Sequence, residues 1–141
     1  HWGRHMTHMR ISSEASDLDL VLIHRFLSED AYWSKGVSRE LINKALSNSL
    51  CFGGFVGTDQ VAFGRVVTDF ATFGYLKDIF VLPAFRGRGY GKQLVAAMLE
   101  RLEREGVGTL MLATQDAHGL YRAFGFEPVE GSSKLMRRAR L

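Results

Sequence analysis

Apolar residues follow two rhythms along this chain, and each change of rhythm marks a change of element. Leu94, Val95, Met98, Leu99 and Leu102 recur at helical spacing, with Lys92, Glu100, Arg101, Glu103 and Arg104 between them, which predicts a long amphipathic helix. Immediately before it, residues 75–82 form a run rich in β-branched and aromatic side chains, closed by Pro83, which predicts a buried strand. Two earlier runs, 50–57 and 61–68, flank Thr58-Asp59-Gln60 and predict a hairpin; 75–82 then pairs through a turn at 69–74. Residues 9–12 can form a short first strand. Ser16-Asp17 can cap a helix carrying Leu18, Val21, Leu22 and Phe26, and Ser38 a second carrying Leu41, Ile42, Ala45 and Leu46. After the long helix, Gly106-Val107-Gly108 leads into a strand at 109–113. A short helix at 117–124 and closing strands at 126–129 and 134–138 complete the chain.

This order predicts an α/β (α+β) fold with a mixed, mostly antiparallel sheet. Its strand–helix–strand crossover supplies one parallel pair. There are no internal repeats and no Pro/Ser linker, so 9–141 reads as one domain, a size that buries roughly 68–70% of its unfolded surface. Residues 1–8 read as an expression remnant, so His1, His5 and His8 are not taken as a metal site, and none is expected elsewhere. Cys51 is the single cysteine, which favours a reducing compartment. With no apolar run near the ~20 residues of a membrane span and no visible signal peptide, the expected setting is cytoplasmic. The net charge of +3 is modest, and part of it lies in Lys134, Arg137, Arg138 and Arg140 near the end. A nucleic-acid binder would show a broader basic stripe with interleaved aromatics, so neither nucleic acid nor membrane is expected as a partner.

The chemistry is densest between the buried strand and the long helix, where the chain reads Arg86-Gly87-Arg88-Gly89-Tyr90-Gly91-Lys92. A helix start leaves N–H groups without intrahelical acceptors, and the macrodipole adds about half a positive charge there. Glycines keep side chains out of the way, and the cations rim the nest. The natural partner is a phosphate group. Two glycine-loop readings fail on spacing. For a nucleoside-triphosphate loop, Arg86 stands where the first glycine belongs and Gln93 replaces the magnesium-binding hydroxyl. For a dinucleotide loop, Lys92 stands where the third glycine belongs, and the preceding strands are antiparallel.

The loop instead resembles the signature of the GNAT N-acetyltransferases, Arg/Gln-x-x-Gly-x-Gly/Ala after a strand. Arg86, Gly89 and Gly91 match it, and Val81-Leu82-Pro83 resembles the way the family's strand ends. Leu120-Tyr121-Arg122-Ala123-Phe124-Gly125-Phe126 is similar to a second family element, Leu-Tyr-x-x-x-Gly-Phe. The resemblance covers roughly 61–129.

The resemblance implies a parallel strand pair that splays apart, helices on both faces of the sheet, and acetyl-coenzyme A as cofactor. Its pantetheine arm would lie in the gap against backbone groups of Ile79, Phe80 and Val81, and its phosphates on Arg86, Gly87, Arg88, Gly89, Tyr90, Gly91 and Lys92. Gln115 and Asp116 stand where relatives contact the cofactor or orient the acceptor. Tyr121 matches the tyrosine that protonates the departing thiolate; otherwise it packs on the sheet. The base is open. Asp78 could serve directly or through water, or be paired with Lys77 or an arginine. His118 could serve from the same helical face as Tyr121, or be a polar cap residue beside Asp116. Tyr32, Trp33 and Phe73 are candidates for the acceptor side, Tyr32 and Trp33 as an aromatic wall for an apolar or cationic amine or else as cover for the core. The expected partner is a small-molecule or peptide amine, and a homodimer is open. A rival from another class is an acyl-CoA-binding module without turnover.

Overall fold

The computed structural model describes residues 8–129, 131 and 134–139. Of the expected leader at 1–8, only His8 falls among them. Five strands, β1 (Met9–Ser12), β2 (Leu50–Val56), β3 (Asp59–Thr68), β4 (Phe73–Val81) and β5 (Thr109–Leu112), form one sheet in sequence order. The first three pairings are antiparallel and β4–β5 is parallel. The connection from β4 to β5 runs through the predicted long helix.

Helices cover both faces. The helix α1 (Leu20–Arg25) continues into one π-helical turn, Phe26–Asp30, and α2 is Arg39–Ser47. Together they bury Ile23, Phe26, Leu27, Ile42 and Leu46 against Cys51, Phe63 and Phe80 on one face. On the other face α3 (Tyr90–Arg104) lays Leu94, Met98 and Leu102 onto Leu50, Phe52, Ala62, Val66 and Leu76. Leu99 is only partly buried beside them. The last helix, α4 (His118–Arg122), is short.

Local chemistry explains where the expected boundaries shift. Asp19, not Ser16-Asp17, caps α1, accepting from the Leu22 N–H, and the buried stripe is Ile23, Phe26 and Leu27 while Val21 is exposed. Ser16-Asp17 fall instead in a separate 3-10 turn, Ala15–Asp17. Ser38 caps α2 as expected, accepting from Leu41 N–H, yet Leu41 itself faces out. The first hairpin turns on Gly57-Thr58 because Asp59 and Gln60 pair with Val56 and Phe55. Gln60 is buried there, accepting from Asp19 N–H and donating to Ala62 C=O.

The two closing strands expected at 126–129 and 134–138 do not form: neither stretch has strand structure, and the β5 edge away from β4 carries no partner among the described residues. Val129, Leu135 and Met136 lie largely in solvent, so a fifth pairing would bring these residues no shared apolar face.

Candidate active site

Two features of β4 shape the site. The β3–β4 ladder pairs Phe63 with Phe80 but Arg65 with Lys77, so β4 carries one residue more across the same stretch. That extra residue is a β-bulge, and within it Asp78 takes φ 55, a left-handed conformation unusual for a residue with a Cβ. On the other edge, the parallel pairing with β5 ends at Leu76↔Leu112. Beyond that point β4 runs on to Val81 without a β5 partner, and the chain after Leu112 leaves the sheet.

The gap between them is a cleft of about 440 Å³. Tyr75, Lys77, Asp78 and Ile79 form one wall, Ala113 to Ala117 with Tyr121 the other, and Tyr32 and Trp33 stand at its side. Leu82 N–H donates to Val61 C=O on the β3 side, so strand alternation turns the amide groups of Val81 toward the gap. Arg86 Nε already takes the Val81 carbonyl at 2.9 Å, fastening the start of the loop to the end of the strand. Phe80 points away, its ring stacked on Phe26 with centroids 3.9 Å apart.

The loop then enters α3 through two left-handed glycines, Gly87 at φ 79 and Gly89 at φ 80. A side chain at either would be strained, and the space a Cβ would enter is open for at least 4 Å. Gly89 is the N-cap and supplies no side-chain acceptor to the first turn of α3. Arg86, Gly87, Arg88, Gly89 and Lys92 are exposed, and the Arg88 guanidinium rests over the Phe85 ring at 5.2 Å. The geometry is a positively charged, uncrowded cradle, suited to phosphate oxygens.

Polar side chains at the cleft are tied into one chain. Asp78 Oδ1 accepts from the Trp33 indole N–H at 2.8 Å, and Oδ2 accepts from Arg65 Nε at 2.6 Å. Arg65 Nη1 donates to Ser49 Oγ, which donates to the Ala45 carbonyl. Tyr32 meets Trp33 edge-on, with ring centroids 5.1 Å apart. Tyr121 is buried, its ring edge-on to Phe126, and burial together with the nearby Asp116 charge holds its phenol above its ordinary range.

Of the sequence candidates, the cleft therefore gathers Tyr32, Trp33, Asp78, Ile79, Gln115, Asp116 and Tyr121. It does not gather His118, which opens α4 exposed and outside the lining, nor Phe73, which lies at the far end of β4 opposite Thr109. Arg65 is not among the sequence candidates. A lone cation in the apolar stretch 61–67 was the available signal, because a buried guanidinium requires an anion.

Comparison with known proteins agrees with this geometry. The family model described as acetyltransferase (GNAT) family matches residues 47–126. A Xanthomonas campestris pv. campestris protein belonging to the GNAT family superposes with a TM-score of 0.89 at 49% identity, covering 94% of each chain. A Gibberella zeae protein named as a candidate acetyltransferase is 30% identical over 131 residues, 79% of this chain and 74% of that one. A [ribosomal protein bS18]-alanine N-acetyltransferase of Haemophilus influenzae is 35% identical over 72 residues, 49% of this chain and 47% of that one. No helix among the described residues is long and apolar enough to cross a membrane. The loop, the unpaired end of β4 and these matches lead to one conclusion: the chain belongs to the GNAT N-acetyltransferase family, which implies acetyl-CoA use and an acceptor substrate.

Proposed function

We propose that this chain transfers the acetyl group of acetyl-CoA to a primary amine. The observation that carries the reading is a shared strand: β4 lines the cleft past Leu76 and Leu112, with Tyr121 on its opposite wall, and the same strand runs on to the turn that opens the cradle of left-handed glycines. The residues fit the cofactor. N–H groups of the loop and of the first turn of α3 would hold the pyrophosphate, with Arg86, Arg88 and Lys92 screening its charge. The Val81 amide would pair with the pantetheine arm as a neighbouring strand would. Gln115 and Asp116 form the opposite wall, and Ile79 contributes apolar surface.

When bound, acetyl-CoA supplies an activated acyl carbon and a sulfur leaving group. Tyr121 keeps its hydroxyl proton because burial disfavours the phenolate, so it is equipped to donate that proton to the departing sulfur. In net terms a C–N bond forms, the C–S bond breaks, the thiol gains a proton and the amine loses one. Both oxygens of Asp78 are occupied by donors, and taking a proton would leave the Arg65 guanidinium buried without its counter-charge. The reading therefore gives Asp78 a positioning role and routes the amine proton to solvent water. It gives His118, exposed outside the cleft, no part in proton transfer.

Two measurements test the proposal together. Calorimetry with acetyl-CoA should show micromolar-range binding, and thiol release should rise when amines are added. A folded protein that fails to bind acetyl-CoA overturns the reading; binding without amine-dependent thiol release favours the rival of a binding module.

A further inference from the structure

We propose that Trp33 sets the acceptor class, selecting a monoamine that carries an aromatic ring close to its amino group. This rests on the acetyl-transfer reading above. The indole is oriented by contacts from several parts of the fold. Its N–H is committed to Asp78 on β4, Asp78 to Arg65 on β3, and Arg65 to Ser49 just before β2. The backbone of its loop is fastened too: Gly36 N–H donates to Ser28 C=O at 2.9 Å, and Ser34 Oγ to Leu27 C=O at 2.7 Å.

Such anchoring would be expected of a core residue, yet Trp33 is 44% exposed and Tyr32 54%. Rings that only cover the core would be buried by it. These two are held edge-to-face at the side of the cleft with much of their surface uncovered. With the indole N–H already donated to Asp78, the faces of the ring are what Trp33 offers a ligand. A ligand ring stacking there gains contact without having to order the wall.

Charge at the cleft is mixed. Asp78 is neutralised by Arg65, so the carboxylate beneath the indole does not invite a second ammonium group. Lys77, also on the cleft wall, repels one. Asp116 on the opposite wall offsets that repulsion, so the preference rests on the exposed ring faces: one amine on a short arm from a ring meets a matching surface.

The test uses the Trp2→Phe protein, in which Trp33 is the sole indole. Thiol release with acetyl-CoA is compared for phenethylamine, n-butylamine, spermidine and a peptide beginning with alanine. Phenethylamine should have kcat/KM about tenfold or more above the other three, a typical value for one good apolar contact. Trp33→Ala should raise its KM about fivefold or more while leaving the calorimetric acetyl-CoA affinity unchanged, and Trp33→Phe should restore much of the difference by restoring a ring. Independently of turnover, phenethylamine should change Trp33 emission saturably and n-butylamine should not. Equal use of phenethylamine and n-butylamine, a preference for spermidine or the peptide, or no use of phenethylamine by protein that binds acetyl-CoA overturns the proposal. Loss of acetyl-CoA binding by wild type overturns the acetyl-transfer reading beneath it; an unmoved Trp33 emission then removes this one as well.

Discussion

Arg65 Nε donates to Asp78 Oδ2 at 2.6 Å with both side chains buried, and Asp78 is the residue that takes φ 55 where β4 bulges. Holding a non-glycine residue left-handed costs about 1–2 kcal/mol, so something must favour it. The ion pair fits that role, because it pulls the carboxylate back over β3 just where β4 turns away from β5. Arg65→Met should therefore destabilise the protein by about 3–5 kcal/mol, most of it from stranding a buried anion. Urea unfolding measures this. Arg65→Met combined with Asp78→Gly should recover part of the loss, since the anion is gone and glycine accepts the conformation. A double variant no more stable than Arg65→Met would show that the pair does not hold the bulge.

The cradle predicts a separation of binding from folding. Gly89→Glu places a charged side chain where phosphate oxygens would sit, in open space that demands no repacking. It should keep its circular dichroism spectrum and lose only about 1–2 kcal/mol to backbone strain, while acetyl-CoA binding disappears from calorimetry. Wild-type affinity should also fall as salt rises, because exposed Arg86, Arg88 and Lys92 act through a screened field. Retained binding by Gly89→Glu would move the phosphate site elsewhere.

Tyr121→Phe removes the phenolic hydroxyl and little else. Turnover should fall about 10²-fold or more, in the range of lost general-acid catalysis, with acetyl-CoA affinity nearly unchanged. Burial and the Asp116 charge raise the phenol above its reference of 10.0, so the donor stays protonated throughout the neutral and mildly alkaline range. The wild-type rate should show no alkaline loss from this group below about pH 10. A rate–pH profile checks it; unchanged turnover in the phenylalanine variant would remove the acid role.

Elements whose signal is local were legible in the sequence. Leu94, Val95, Met98 and Leu102 give α3 its buried stripe, Ser38 caps α2, and the crossover into β5 makes the parallel pair β4–β5. The resemblance names Tyr32, Trp33, Asp78 and Tyr121 as separate candidates, and the geometry brings the four to one cleft. What escaped was non-local. The cap at Asp19 and the turn at Gly57-Thr58 meet at buried Gln60, which accepts from Asp19 N–H 41 positions away and donates to Ala62 C=O on its own strand. Arg65 and Asp78 are separated by 13 positions, and only the β3–β4 register brings them together. The closing strands at 126–129 and 134–138 failed for a similar reason: alternation proposes a strand, but only a partner and a shared apolar face make one.

Cys51 offers a test of the core beneath the acceptor side. Burial pushes its thiol up from 9.0 to about 11, against the pull of the Arg65 charge and with a smaller push from Asp78. A pKa that is higher in the folded state leaves stability untouched below the unfolded value and removes it as pH climbs from 9 through 11. The wild-type protein should thus lose about 1–2 kcal/mol more than Cys51→Ala between pH 8 and pH 10.5, measured by urea unfolding at each pH. Comparing the two proteins cancels the titration of tyrosines and lysines over the same range. The native thiol should also resist alkylation at pH 8 until denaturant is added, being buried with its Sγ directed at the Leu46 carbonyl. Rapid labelling of the folded protein, or identical pH slopes for the two proteins, would mean that the face joining α2 to β2 is open to water.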